Sequence, residues 1–282
     1  MDYFLLNINR NSINYVDEWI KERSIAPIFY GDSTIDKIKN NPKDFPKDAT
    51  LFVNTFLKRN DDVILFSIGN SKLYIYEQID IIQEYKEYSK SVEGDLVKGI
   101  KIKIREEIEI KECPLVLITI KSNRYMSSGA FRKLKPISEE NSYFGNISAI
   151  QYFLSKKKKQ KVETFKGYLY CLSSLEFETL IAKMFEEKNY FVPAYKGGFI
   201  KNYDLFCTNL EDNKTVSLQI KLEMKEKYYN DFTDYYYCIN NNYISMDKIR
   251  NWESIKNELK ECPNTREWLN RTLDWVTFDE KV

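Results

Sequence analysis

The chain predicts an α+β protein in two parts, a small N-terminal β-barrel with peripheral helices and a C-terminal α/β core. Three observations predict this. Short apolar runs bounded by turn residues recur at regular spacing through residues 2–120. Four consecutive lysines at 156–159 then interrupt the pattern with a charge density no core absorbs. From residue 171 the apolar period changes, first to that of a helix and then to that of a paired strand.

The N-terminal elements follow in order. Residues 2–8 (DYFLLNI) read as a strand, and Ser12 caps a helix over 13–23 whose apolar face carries Ile13, Val16, Trp19 and Ile20. Ala26 to Tyr30 is extended and ends at Gly31-Asp32, and residues 34–48 are polar, with Pro42 and Pro46. Thr50 to Leu57, Asp62 to Ile68 and Lys72 to Gln78 read as strands, separated by Arg59-Asn60-Asp61 and Gly69-Asn70-Ser71 turns. Asp80 to Ser89 reads as helix. Ile100 to Ile110 alternates as a half-buried strand, and Leu115 to Ile120 reads as a buried one. A short helix over 141–154 closes this domain, 1–154. Residues 155–166 form a lysine-rich linker to the second domain, 167–282.

Composition narrows the chemistry. The chain of 282 residues is long enough for two cores. Its formal charge of +1 offers no global basic field, so any nucleic-acid surface must come from local patches. It has no histidine, which excludes histidine bases, Ser-His-Asp triads and His-containing zinc sites. A hydrolase built from it leans on carboxylates, amides and lysine. Five scattered cysteines without a CxxC read as reduced thiols, and no run is long or apolar enough for a signal peptide or membrane span. A cytoplasmic protein is expected.

Residues 171–225 carry the residue types such a hydrolase needs. Ser173 and Glu176 fit a helix capping box. At about 100° per residue, Glu178 shares a side of the helix with Leu175, Ile181, Ala182 and Phe185, while Glu176 points nearly opposite. A carboxylate on an apolar stripe needs a partner. Tyr203 to Thr208 then reads as a strand, residues 209–214 as a turn, and Val216 to Met224 as a strand alternating with Ser217, Gln219, Lys221 and Glu223. A turn centred near Glu211–Asp212 places Asp204 opposite Gln219 or its neighbour, where cross-strand side chains can share one ion.

That set suits phosphodiester hydrolysis. Asp204 offers a charged oxygen and Gln219 a neutral one, enough to hold a Mg²⁺ that keeps several waters. Lys221 can orient or deprotonate the attacking water. Glu178 approaches from the helix as a further metal ligand. Asp234 to Asn240 reads as another strand. Residues 245–275 read as helices broken near Pro263, with Trp252, Trp268 and Trp275 on buried faces.

The stretch resembles the catalytic domain of the Mrr-like branch of the PD-(D/E)XK nuclease superfamily. The matching residues are Leu175-Glu176-Phe177-Glu178, Asn189-Tyr190-Phe191-Val192, Asp204 and Gln219-Ile220-Lys221. The resemblance implies a restriction-endonuclease-like core in which Asp204, Gln219 and Lys221 are catalytic and Glu178 is the helix carboxylate. It also implies Mg²⁺, with Mn²⁺ as a substitute. Two departures stand out. The run Gly197 to Asp204 is poorer in glycine and acid than the family pattern, and Glu223-Met224-Lys225 spells a second acid-x-Lys one step along the same face. The register opposite Asp204 favours Gln219 and Lys221.

The N-terminal half more distantly resembles the PUA-like group, which includes EVE, YTH and ASCH domains. The resemblance lies in the opening strand, Asn60 to Ser67, Lys72 to Tyr76, and Tyr125-Met126-Ser127-Ser128-Gly129-Ala130-Phe131-Arg132. It implies a DNA reader that holds a flipped, modified base between aromatic rings. Trp19, Tyr30, Phe66 and Tyr125 are the candidate stackers, and Arg124, Arg132, Lys133 and Lys135 the candidate phosphate contacts. The combination is expected to be a modification-dependent, type IV-like restriction endonuclease acting on double-stranded DNA. Cutting both strands requires a homodimer or transient pairing on DNA. The alternatives are a phage-defence nuclease whose N-terminal domain senses a small molecule or partner protein, a sequence-specific type II endonuclease, and a binding module with a decayed site.

Overall fold

The computed structural model describes residues 1–10, 13–88, 95–121, 130–134, 143–193, 203–225, 228–230, 232–241 and 247–279. They divide into two units, Met1–Cys113 with Ile120–Pro136, and Pro114–Thr119 with Ile137–Val282. The fold is mixed α+β, with a curled half-barrel sheet in the first unit and a separate mixed sheet with helices in the second.

The first unit contains β1 (Asp2–Leu6), β2 (Asn9–Arg10), β3 (Ile13–Asn14), β4 (Ile25–Phe29), β5 (Val63–Ile68), β6 (Lys72–Gln78), β7 (Gln83–Tyr85), β8 (Val97–Glu109) and β9 (Phe131–Leu134). Helices α1 (Ile35–Asn40) and α2 (Lys47–Phe56) lie between β4 and β5. The sheet runs β4-β8-β6-β5-β1-β9, with β7 also on β8. Its curl comes from β8. The N-terminal part of that strand pairs with β4 and β7, and its C-terminal part with β6 across a bulge at Ile75/Tyr76. Gly99 permits the close approach of β4, since a Cβ there would lie 2.9 Å from the Ala26 carbonyl. Among the described residues β4 and β9 do not pair, so the expected barrel is an open half-barrel.

Three expected elements differ. Thr50 to Leu57 belongs to helix α2, because Ala49, Phe52, Val53 and Phe56 are buried at helical spacing; Phe52 and Phe56 pack on Phe131. The helix expected over 13–23 shrinks to a π-helical segment at Asp17–Glu22. Ile13 is exposed because it pairs with Arg10 in a small hairpin. The expected helix over Asp80 to Ser89 contains strand β7, held by β8. Ser12 and Ser89 lie outside the described residues.

The second unit contains helices α3 (Leu115–Ile118), α4 (Phe144–Leu154), α5 (Phe165–Tyr170), α6 (Ser174–Glu187), α7 (Trp252–Leu259) and α8 (Pro263–Thr272). Its strands are β10 (Gln160–Val162), β11 (Tyr190–Phe191), β12 (Leu205–Asn209), β13 (Thr215–Met224), β14 (Tyr235–Asn241), β15 (Ile249–Arg250) and β16 (Val276–Phe278). The main sheet runs β11-β12-β13-β14-β15, antiparallel up to β13 and parallel beyond it. α6 packs on β13 and α7 on β14.

Leu115 to Ile120, expected as a strand, opens with the single turn α3. There the Val116 carbonyl accepts a hydrogen bond from buried Asn146 of α4 (2.7 Å). The closing helix of the expected first domain, α4, falls in the second unit. A Cβ at Gly145 would sit 2.5 Å from the Tyr170 carbonyl, so this glycine lets α4 approach the end of α5. The expected linker also differs, since Gln160–Val162 is β10, paired in parallel with β16. The lysines before it remain exposed, while Trp275 is buried and Trp252 and Trp268 are half-buried.

Candidate active site

The β12–β13 hairpin sets the site's geometry. Leu205 pairs with Leu218 and Thr208 with Thr215 around the turn at 210–213, which continues the ladder to place Asp204 against Gln219. The Asp204 backbone N–H donates to the Leu218 carbonyl (2.8 Å). Its carboxylate then collects three donors on one oxygen. Gln219 Nε2 donates to Oδ2 at 2.7 Å, the Ile220 backbone N–H at 2.6 Å and Lys221 Nζ at 2.5 Å. Gln219 is buried, whereas the Asp204 and Lys221 side chains keep 16% and 27% of their surface, so the cluster opens at one end. The Lys221 ammonium also lies 6.0 Å from the centre of the Tyr228 ring.

The donors leave Asp204 Oδ1 and Gln219 Oε1 without partners among the described residues. These are one charged and one neutral hard oxygen, a donor set that fits Mg²⁺ with its remaining positions filled by water. Such an ion would supply charge neutralisation and an activated water. Among the described residues no three of His, Cys, Asp and Glu converge to hold a metal.

The helix contributes differently from expectation. Ser173 and Glu176 form the expected capping box, with Ser173 N–H donating to Glu176 Oε2 (2.8 Å) and Glu176 N–H to Ser173 Oγ (3.1 Å). Glu176, however, is the buried carboxylate, and burial pushes its pKa up. Glu178 is half-buried and Leu175 is exposed, so the buried stripe is rotated from the expected one to Phe177, Leu180, Ile181, Met184 and Phe185. Strand alternation puts Asp204, Gln219 and Lys221 on one face of the sheet and Leu205, Cys207, Leu218 and Ile220 on the other. The Cys207 thiol, pushed up to about 12 by burial first and by Glu186 of α6 second, marks the latter as the face towards α6. Glu178 is accordingly not among the hydrogen-bonded partners of the hairpin cluster.

The competing pair is placed apart. Glu223 is half-buried opposite Asn240 of β14, and Lys225 is exposed beyond the end of β13. Residue types could not reveal two further contributors. The Ile220 amide acts through backbone register alone. The β13–β14 connection is clamped by Asp234 Oδ2, which accepts from both the N–H and the hydroxyl of Ser217 at 2.8 Å. The ladder's periodicity implied the first, and no local signal marked the second.

The N-terminal candidates are mostly committed elsewhere. Trp19 and Phe66 are fully buried and present no face to a base. Tyr30 is half-buried, and burial together with Asp48 raises its pKa. Lys133 bonds Asp2 Oδ2 (2.5 Å), and Arg132 is half-buried in β9 opposite Leu5. Arg124, Tyr125 and Lys135 lie outside the described residues, as do the residues 197–202 preceding Asp204.

No family model, curated protein or solved structure matches this chain. The hairpin geometry therefore carries the functional reading alone. Among the described residues no helix is long and apolar enough to cross a membrane.

Proposed function

We propose that this protein is a metal-dependent DNA endonuclease whose phosphodiesterase site is Asp204, Gln219 and Lys221. The observation that carries the reading is the convergence of the Gln219 amide, the Ile220 N–H and the Lys221 ammonium on a single oxygen of Asp204. In this reading Asp204 and Gln219 would hold Mg²⁺ or Mn²⁺ through their free oxygens. Lys221 exchanges its bond to Asp204 for the attacking water or the phosphate, where its charge offsets that developing in the transition state. Glu178, on the helix covering the opposite face, carries no assigned metal role in this reading.

The N-terminal unit is proposed to select the substrate by reading a modified base, as in type IV-like restriction. A cavity of about 510 Å³ lined by Arg23, Gln83, Glu84, Tyr85, Tyr88 and Lys101 supports ligand binding within that unit. Its mixed charges equally favour a small-molecule sensor of a defence nuclease, which is the second reading. Matched duplexes carrying cytosine, 5-methylcytosine, 5-hydroxymethylcytosine or N6-methyladenine, incubated with Mg²⁺, Mn²⁺ or EDTA, separate the two. Metal-dependent cutting of one modified duplex is expected. Equal cutting of all four keeps the nuclease and favours the sensor, and no cutting with any metal overturns the proposal.

A further inference from the structure

The face of the sheet that carries the candidate cluster also carries exposed aromatic rings. Phe206 lies two residues along from Asp204 on β12, and its side chain shares the Asp204 face by alternation. It is 37% exposed, and its ring packs 4.9 Å from Tyr203. Phe191 of β11 is 57% exposed and sits opposite Thr208, the next residue of that face. Thr208 Oγ1 pairs with Thr215 Oγ1 across the hairpin (2.9 Å), which establishes the shared face directly. Phe232 is 73% exposed. Its carbonyl accepts from the Ser217 hydroxyl (3.0 Å), and Ser217 is the cross-strand partner of Phe206.

Exposed phenylalanines do not contribute to the unit's core; Phe191 and Phe206 lie by register on the cluster's face of the ladder, and the Phe232 backbone adjoins that face at Ser217. Their surroundings point to the occupant. Lys221 provides a cationic position suited to a phosphate backbone, and the rings provide flat apolar surfaces suited to bases. Both halves of a nucleotide are therefore met on one sheet face, with the phosphate side at the Asp204 cluster.

We propose that Phe191, Phe206 and Phe232 form a stacking platform for unpaired nucleotides adjoining the scissile phosphate, so that the nuclease engages its DNA as a single or locally opened strand. This rests on the phosphodiesterase reading of the cluster. A duplex keeps its bases stacked on each other and gains little from such rings. An unpaired strand gains on the order of 1–3 kcal/mol for each base stacked on an aromatic ring.

The test uses the full chain in EDTA, so that binding is read without cleavage. Fluorescence anisotropy compares a labelled oligothymidylate with an abasic backbone of equal length and with a duplex, for the wild type and for Phe191→Ala, Phe206→Ala and Phe232→Ala. Circular dichroism verifies that each variant is folded. The platform predicts that each variant loses roughly tenfold in affinity for the oligothymidylate and almost none for the abasic strand. Equal binding of oligothymidylate by all four proteins overturns the proposal. So does a concentration-dependent dimer in sedimentation that Phe206→Ala dissolves, since a second copy would then be the occupant. Ring-dependent binding without metal-dependent cleavage would keep the platform and remove the nuclease. Cleavage with ring-independent binding would do the reverse.

Discussion

Two lysines, one in each unit, show how the same side chain is used to different ends. Lys98 on β8 is fully buried, and its ammonium donates to the backbone carbonyls of Leu96 (2.7 Å), Ser33 (2.8 Å) and Gly31 (3.3 Å). All three of its protons are used, and it ties the loop after β4 to β8. Lys221 on β13 keeps 27% of its side chain in solvent and spends a proton on a carboxylate whose other oxygen has no partner among the described residues. A saturated, occluded cation stabilises a fold. A half-open cation beside a carboxylate is placed as the proposed phosphodiesterase reading requires. Burial pushes Lys98 down to about 8 against the partial opposition of Asp95, Glu84 and Asp32.

The comparison is sharpened first at the open site. Asp204→Ala should lower single-turnover cleavage about 10²- to 10³-fold. Its thermal midpoint should fall less than that of Lys98→Met, because the open end lets water solvate the freed lysine and only the Gln219 amide and Ile220 N–H lose a buried acceptor. A large loss of stability would move the Asp204 cluster into the same class as Lys98. At the closed site Lys98→Met strands three buried carbonyls and should cost about 3 kcal/mol in denaturant unfolding. The folded fraction should cleave at the wild-type rate.

The pH dependence tests the closed site without truncating it. Lys98 binds its proton less tightly in the folded state than in the unfolded state, so the unfolded chain holds more protons between about pH 8 and the ordinary lysine range. Stability contributed by this site should rise with pH across that window and be flat below it. Thiols raised to about 12 by desolvation (Cys113, Cys207, Cys238) act oppositely above pH 9, so the relevant quantity is the difference between the wild type and Lys98→Met. A difference that falls with pH would contradict the assignment. The smallest effect is expected at the α6 cap, where Glu176→Ala should cost about 1 kcal/mol in urea unfolding, with cleavage retained.

Features set by local periodicity were legible in the sequence. The β12–β13 register, the Ser173–Glu176 box and the strands β6, β8 and β14 follow from alternation, turn residues and capping chemistry. Those that depend on which neighbour an element meets were not. The wheel of α6 gives relative angles, but only the position of the sheet selects Glu176 over Glu178 as the buried carboxylate. The β-branched residues of Thr50 to Leu57 suited a strand, although Ala49, Phe52, Val53 and Phe56 already carried the helical spacing. The strand order of the N-terminal sheet depends on long-range partners such as the parallel β1–β5 pair, which no local pattern encodes. Lys98 was readable in principle, because alternation extended back from Ile102 and Ile100 puts it on the apolar phase of β8.

The most direct measurement is single-turnover cleavage of labelled DNA duplexes carrying 5-methylcytosine, 5-hydroxymethylcytosine or N6-methyladenine in Mn²⁺ by wild type, Lys221→Ala and Lys225→Ala, with EDTA as the metal-free control. The account predicts metal-dependent cutting by wild type and Lys225→Ala. It predicts a loss of about 10²-fold or more in Lys221→Ala, with DNA binding nearly intact. Wild-type rates in Lys221→Ala, or cutting that survives EDTA, would contradict it.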